Sequence, residues 1–379
     1  MGRLAFVLLG CAWLTTALAQ TPEGALSSQW TNLCAGAAPG SDLAQRCVEI
    51  VNGGAGSRDI AAAGNFLEEI PGQGRSATRD GAPGSAVARQ SIAAHWSLFA
   101  SVDMGRLDRR DSANEAAFAG DTQALTAGVD WAPSQSLLLA AAFNVSEETL
   151  DYRNSAGSAK ARYDGLIGTA SWNLSPNIAL LGYAGRLNGS NELRRAIDYT
   201  LLSGAHVSAL ASASPDSTRT MSGLGLDWSL PHGAWQWRIG AGMDWMKTRL
   251  ESYAESGGDG LALAVPTRQI LTRRGRIDLG LGRTISARWG VWQPQMMIGW
   301  RREFANASRT LGVRFIGDGL GTPIRFDTED PDNAWGEVAI GSVFTFTHGH
   351  SGFIQYRQRF GHDFLQDRLL SLGWRLELH

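Results

Sequence analysis

Outside its first twenty residues the chain has no apolar run near the ~20 residues of a membrane helix, which excludes a helical membrane protein. It has no surplus of charge of either sign: 34 Lys and Arg stand against 36 Asp and Glu. That balance gives no basic footprint for nucleic acid. Lysine is scarce, since Lys160 and Lys247 are the only two among the basic residues. Cysteine is scarcer still, with Cys11, Cys34 and Cys47 and no histidine before His95, so no metal site and no cofactor are expected. What the chain does have is glycine (46) and tryptophan (14). Its mean hydropathy of −0.14 has the look of a water-soluble protein, but such an average misses strands that are apolar on one face only.

Residues 1–19 read as an export signal. Arg3 supplies the positive start, Leu4 to Leu14 the apolar core, and Ala17-Leu18-Ala19 the small-x-small cleavage site, giving a mature start at Gln20. A lipoprotein signal ending in Leu8-Leu9-Gly10-Cys11 is the rival, with a very short apolar core. Removing the signal leaves Cys34 and Cys47, which in an exported protein read as one disulfide. It closes a loop of about 14 residues, worth roughly 3 kcal/mol in the chain-entropy model.

Residues 20–91 differ from everything that follows. Ser27 to Cys34 and Ser41 to Val51 have helical spacing, with Ser41 as N-cap and Asn52-Gly53-Gly54 as a stop. Arg58 to Ile70 is a second candidate helix. Residues 72–85 have the Gly, Ser and Pro content of a linker, and Ala86 to Ala94 could form a short helix. The region reads as a small stapled helical hairpin or, equally, as partly disordered.

From His95 to the end the period is two. Between Trp235 and Met246, for example, Trp235, Trp237, Ile239, Ala241, Met243 and Trp245 alternate with Gln236, Arg238, Gly240, Gly242 and Asp244. Twelve such runs are counted, two of them weak, at 160–173 and 177–189. They run about 12 residues, longer than the ~5–6 of an ordinary strand. The connections alternate in length. Short ones fall at Ala132–Gln135, Leu174–Asn177, Leu230–Gly233, Ala287–Gly290 and His348–Ser351, and long ones near 107–121, 150–160, 190–217, 250–268 and 305–334. The exception is the short turn at 361–363. Trp131, Trp172, Trp228, Trp235, Trp237, Trp292 and Trp374 gather beside the short turns, as an aromatic girdle would. The expected fold is all-β: a 12-stranded antiparallel transmembrane β-barrel with lipid outside and a polar lumen inside. Asp103, Asp130, Asp227, Arg238, Asp244, Arg276, Asp278, Arg301, Glu303, Arg357 and Arg375 are placed on the lumen side.

Over residues 92–379 this pattern resembles the autotransporter (type V secretion) barrel domain of Gram-negative outer membranes. The likeness rests on the twelve strands, on an export signal followed by an N-terminal segment, on Phe99-Ala100-Ser101-Val102-Asp103 opening the barrel, and on Gly352-Phe353-Ile354-Gln355-Tyr356-Arg357 before the last strand. It implies a linker helix in the lumen, outer-membrane lipid as solvent, assembly by the barrel assembly machinery with periplasmic chaperones, and export or anchoring of what precedes the barrel. Only about 70 residues precede it and they show no β-repeat, so a large passenger is not expected. The chain ends in Leu376-Glu377-Leu378-His379 instead of an aromatic residue, and the linker lacks the Asn pair of self-cleaving members. The alternative is a channel or structural barrel whose N-terminal segment is a periplasmic or lumenal plug.

No catalytic set emerges. Gly317-Asp318-Gly319-Leu320 resembles an esterase block without its serine and reads as turn chemistry. His348, His350 and His362 fall in turns with no evident partner. Gly53 to Ser57 lacks the lysine of a phosphate loop. The protein is expected not to be an enzyme, and no surface ligand is identified.

Overall fold

The computed structural model describes residues 33–51, 95–111, 117–153, 156–200, 204–305, 310–327, 332–346 and 350–378. Twelve strands close into one antiparallel barrel: β1 (His95–Arg109), β2 (Phe118–Ala132), β3 (Leu137–Tyr152), β4 (Gly157–Ser175), β5 (Ile178–Thr200), β6 (Asp216–His232), β7 (Trp235–Leu250), β8 (Arg268–Arg283), β9 (Gly290–Glu303), β10 (Ala334–Phe346), β11 (His350–Phe360) and β12 (Leu365–Leu378). Each strand pairs with its neighbours in sequence, and β1 pairs with β12 from Trp96↔Leu378 to Arg109↔Leu365, so no edge is left open. A 15-residue strand is about 50 Å long. At the usual barrel tilt it spans a bilayer with residues to spare.

The two faces follow the alternation. Along β7, Trp235, Trp237 and Ile239 are exposed on the outside, while along β1 and β12 Ser97, Ser101, Asp103, Ser371 and Arg375 are buried inside. No helix among the described residues is long and apolar enough to cross a membrane. Aromatic rings fill the gaps left by glycine: a Cβ on Gly373 would meet the Phe353 ring of the adjacent strand at 2.0 Å. Glycine there lets an inward phenyl lie flat on the wall.

The two ends differ. The inner end carries the short turns, and β1 begins there with His95 opposite Ala132. The outer end carries a second layer. The expected loop at 190–217 is instead a strand extension: β5 continues to Thr200 and pairs with a short strand at His206–Ala213. The β7–β8 and β9–β10 connections build a four-stranded sheet from Tyr253–Ala254, Leu263–Val265, Thr310–Phe315 and Ile324–Asp327. Ser256–Gly257 pairs with His206–Ala213 and ties the third long connection to the others. These segments have their own apolar residues to bury, which is why they do not stay open loops.

Helix α1 (Asp42–Val51) lies on this outer layer. Ser41 caps it as expected, its Oγ accepting from Ala44 N at 3.1 Å. The second expected helix at Arg58 to Ile70, the linker with Ala86 to Ala94, and the signal with Ala19 and Gln20 lie outside the described residues.

Candidate functional site

The site is the barrel's interior together with the cover over its outer mouth. The cover is nucleated by α1 and the turn before it. Cys34 and Cys47 form a disulfide with Cα atoms 5.5 Å apart, locking Leu33 against the helix. Leu33, Leu43 and Cys47 point into one buried cluster with Phe118, Leu150 and Tyr152 at the barrel rim and with Leu263, Val313 and Phe315 of the small sheet. Leu33 and Leu43 are fully buried, at 0% and 1% exposure. Burial on that scale stabilises each by about 1.5–3 kcal/mol.

Polar contacts fix the orientation. Arg46 donates to the Asp259 carbonyl (3.2 Å) and carboxylate (3.1 Å). Asp259 itself has φ +52°, a conformation aspartate tolerates. Beside it, a Cβ on Gly260 would lie 2.7 Å from Leu43 N, so the helix start seats there only because residue 260 has no side chain. On the other side Ala37 bridges to Asp318. The Asp318 carboxylate accepts from Leu320 N (3.0 Å) and Thr322 N. The Gly317–Leu320 block is therefore a turn that receives the N-terminal segment.

A buried ion pair holds the cover to the barrel. Arg195 on the β5 extension meets Glu255 of the β7–β8 connection at 2.5 Å, both side chains only 3% exposed. Arg195 also donates to the Leu261 carbonyl and Glu255 accepts from Leu263 N, each at 2.8 Å. The charges therefore share hydrogen bonds that offset part of their desolvation. Sequence reading missed this pair: its members are 60 residues apart and Glu255 sits in an aperiodic stretch.

Inside the barrel the walls are unequal. From β8 to β12 the lumen face carries alternating charges. Arg301 lies 2.5 Å from Asp278 and 3.0 Å from Glu337, Arg276 lies 2.6 Å from Asp278, and Arg357 is 3.9 Å from Glu337. Above them the Trp335 ring is sandwiched between Arg274 (4.9 Å) and Arg359 (4.8 Å), a cation–π stack. Trp335 shares the parity of Glu337, a sequence signal that places it inward. The facing wall, β4 to β6, carries an apolar cluster of Tyr163, Ile167, Leu187 and Met221, with the Arg219 guanidinium 3.9 Å over the Tyr163 ring. Between the walls a cavity of about 910 Å³ reaches the inner turns at Gln135 and Asn177.

The remaining expected lumenal residues have these neighbours. Asp103 accepts from Ser371. Asp130 pairs with Arg375 at 2.6 Å, and Arg375 also reaches Ser97. Asp227 pairs with Arg238, and Asp244 accepts from Tyr183 at 2.9 Å. Glu303 stands 3.9 Å from Arg274 and accepts from the amides of Arg273 and Ala305, where the β9–β10 connection departs. The seven girdle tryptophans lie on the barrel exterior near the short turns, 37–52% exposed. Trp96 joins them, stacked on Trp131 with centroids 5.8 Å apart.

His362 of the outer β11–β12 turn contacts Asp332 at 2.9 Å and the Trp335 ring at 5.7 Å. Burial, reinforced by Arg359 and Arg109 and only partly opposed by Asp363, pushes its pKa down to about 3. The turn is braced by backbone amides: Leu365 N donates to His362 Nδ1 at 3.2 Å, and Asp363 N donates to the Asp332 carboxylate. Among the described residues no cluster of His, Cys, Asp and Glu could hold a metal ion.

The architecture has known counterparts. The translocator domain of the autotransporter NalP from Neisseria meningitidis superposes with TM-score 0.58 at 14% identity, over 74% of this chain and 88% of that one. The β domain of the Bordetella autotransporter Brka superposes with TM-score 0.52 at 15% identity, over 74% and 99%. These likenesses show the fold. Comparison with curated proteins gives no match. The autotransporter beta-domain family matches residues 98–357, from within β1 to within β11. With that match the chain belongs to the autotransporter β-domain family, twelve-stranded barrels of the Gram-negative outer membrane.

Proposed function

We propose that this barrel carries its own short N-terminal segment to the outer face and keeps it there as a cover on its outer mouth. One observation carries the reading: α1 is packed among the long connections at the outer end, whereas β1 begins at the inner end. Residues 52–94 join the two ends, and the lumen is the route that spares them contact with lipid. They have the reach, since even a wholly helical connection of that length extends roughly 60 Å.

The same reading makes residues 1–19 an export signal cut between Ala19 and Gln20, residues 20–91 the carried segment, and residues 92–379 the translocator. The inner-end tryptophans become an interfacial girdle, and the lumenal charges the lining of the transit path. Assembly would use the barrel assembly machinery and periplasmic chaperones. Barrels of this family are generally not enzymes, and no catalysis is assigned here.

The packing of α1 against outer connections favours this translocator over a channel with a periplasmic plug. The test is conductance. Deleting residues 33–51 should raise the single-channel conductance of the full barrel in planar bilayers, because the outer mouth loses its cover. Unchanged conductance contradicts the cover.

A further inference from the structure

The lipid-facing columns of β7, β8 and β9 carry cations among their apolar residues at the outer rim. On β7 the column from Trp235 to Trp245 continues with Lys247 and Arg249. On β8 the column of Leu279 and Ile277 runs outward through Arg273 to exposed Leu271, and on β9 the column from Trp292 to Trp300 reaches Arg302 and, just past the strand, exposed Phe304. All four cations are exposed. Lys247, one of only two lysines in the chain, stands ten residues beyond Trp237. That is about 33 Å of strand and about 25 Å along the membrane normal at ordinary tilt, the height of the apolar band of such a barrel. The cations therefore sit at the level of the outer-leaflet headgroups.

Register makes them one patch. Lys247 lies opposite Leu271, two residues from Arg273. Arg302 lies opposite Gly275, again two residues from Arg273. Diagonal neighbours of this kind are ~7–8 Å apart, within reach of a single bridging group. Arg249 is neutralised by Glu251 at 2.9 Å. Among the described residues no carboxylate pairs with Lys247, Arg273 or Arg302. The rim of β3 and β4 is different, since Glu147 there holds both Lys160 (2.9 Å) and Arg162 (2.7 Å). Below the patch Trp300 and Ile277 are exposed on the outside of the barrel, and Phe304, two residues outward of Arg302, holds its ring 5.7 Å from that guanidinium.

Three cations with no carboxylate partner among the described residues, over an apolar wall, at headgroup height and on the outside of the barrel, are complementary to one class of ligand. We propose that Lys247, Arg273 and Arg302 form a binding site for a phosphorylated glycolipid of the outer leaflet, with the phosphates on the cations and the acyl chains along β7 to β9. The site stands apart from the cover and from the transit path.

The probe is diphosphorylated lipid A, titrated against the full-length barrel in detergent micelles, where membrane orientation has no influence. Each cation near an anionic lipid surface contributes roughly fivefold, so replacing Lys247, Arg273 and Arg302 together with Gln should weaken binding about a hundredfold. Lys160→Gln with Arg162→Gln should leave it within about twofold, since those charges are already paired. Wild-type protein should bind dephosphorylated lipid A as weakly as the triple variant binds the phosphorylated form. Millimolar inorganic phosphate should not compete. Heat-modifiable gel mobility confirms folding, and should the triple variant fail to fold, Lys247→Gln alone should weaken binding about fivefold. The proposal is overturned if these variants bind like wild type, if the β4 pair loses as much, if the lipid phosphates make no difference, or if free phosphate displaces the lipid.

Discussion

The inner and outer ends of this barrel are built by different rules. At the inner end strands meet in turns of a few residues, tryptophans face out, and the lumen opens into a polar cavity. Every feature there follows from two-residue alternation and turn chemistry. At the outer end three long connections and the N-terminal segment form a small apolar core around Leu33, Leu43 and Phe315, held by a disulfide and the buried Arg195–Glu255 pair. The inner half behaves as a membrane protein, folded against lipid. The outer end behaves as a small globular domain whose chain is gathered from four separated stretches. The difference teaches that strand periodicity sets the barrel while non-local packing sets what closes it.

The comparison can be broken first at the outer end. Glu255→Ala leaves Arg195 buried without its partner, a change that typically costs ~3–5 kcal/mol. The expected outcome is rapid protease cleavage within 251–267 while heat-modifiable gel mobility stays normal. Resistance equal to wild type would mean the pair does not hold the cover.

Breaking the membrane band should give the opposite pattern. Ile239→Arg places a charge on the lipid face of β7 one outward-facing position inside the Trp237 girdle, at a cost between the ~0–1 kcal/mol of the interface and the ~2–4 kcal/mol of mid-membrane. Barrel assembly should fall, read as the yield of the heat-modifiable form. Gly240→Arg, one residue on, enters the lumen, where a Cβ would meet Asp227 Oδ1 at 2.8 Å, so its cost is crowding near a carboxylate. Equal yields from the two variants would contradict the face assignment.

The distinction sharpens with Cys34→Ser plus Cys47→Ser. It should cost the segment roughly 3 kcal/mol and the barrel nothing. Proteolysis of residues 33–51 should quicken, with the barrel's melting temperature unchanged.

These two sets of rules also explain what was legible in the sequence. The strands, their faces and the parity of the connections could be read because each rests on neighbours two residues apart. The weak runs at 160–173 and 177–189 have a physical cause: Tyr163, Ile167 and Leu187 turn inward to an apolar cluster, so both faces of β4 and β5 are apolar and alternation fades. The Ser41 cap and the cysteine pair were local and were read correctly in position. The seat of α1 was not legible. Arg46 meets Asp259 across 213 residues, and Gly260 looks like any loop glycine until the helix rests on it. The β5 extension reads as a loop in the sequence because its partner, His206–Ala213, lies outside the barrel's own order.

The central claim is that residues 33–51 sit on the outer face. An epitope inserted after Pro39, in the exposed turn before α1, tests it directly on intact cells. The account predicts antibody binding without permeabilisation, at a level equal to an epitope placed in the 251–267 connection. Binding that appears only after the outer membrane is opened, while the 251–267 epitope is accessible throughout, would contradict it.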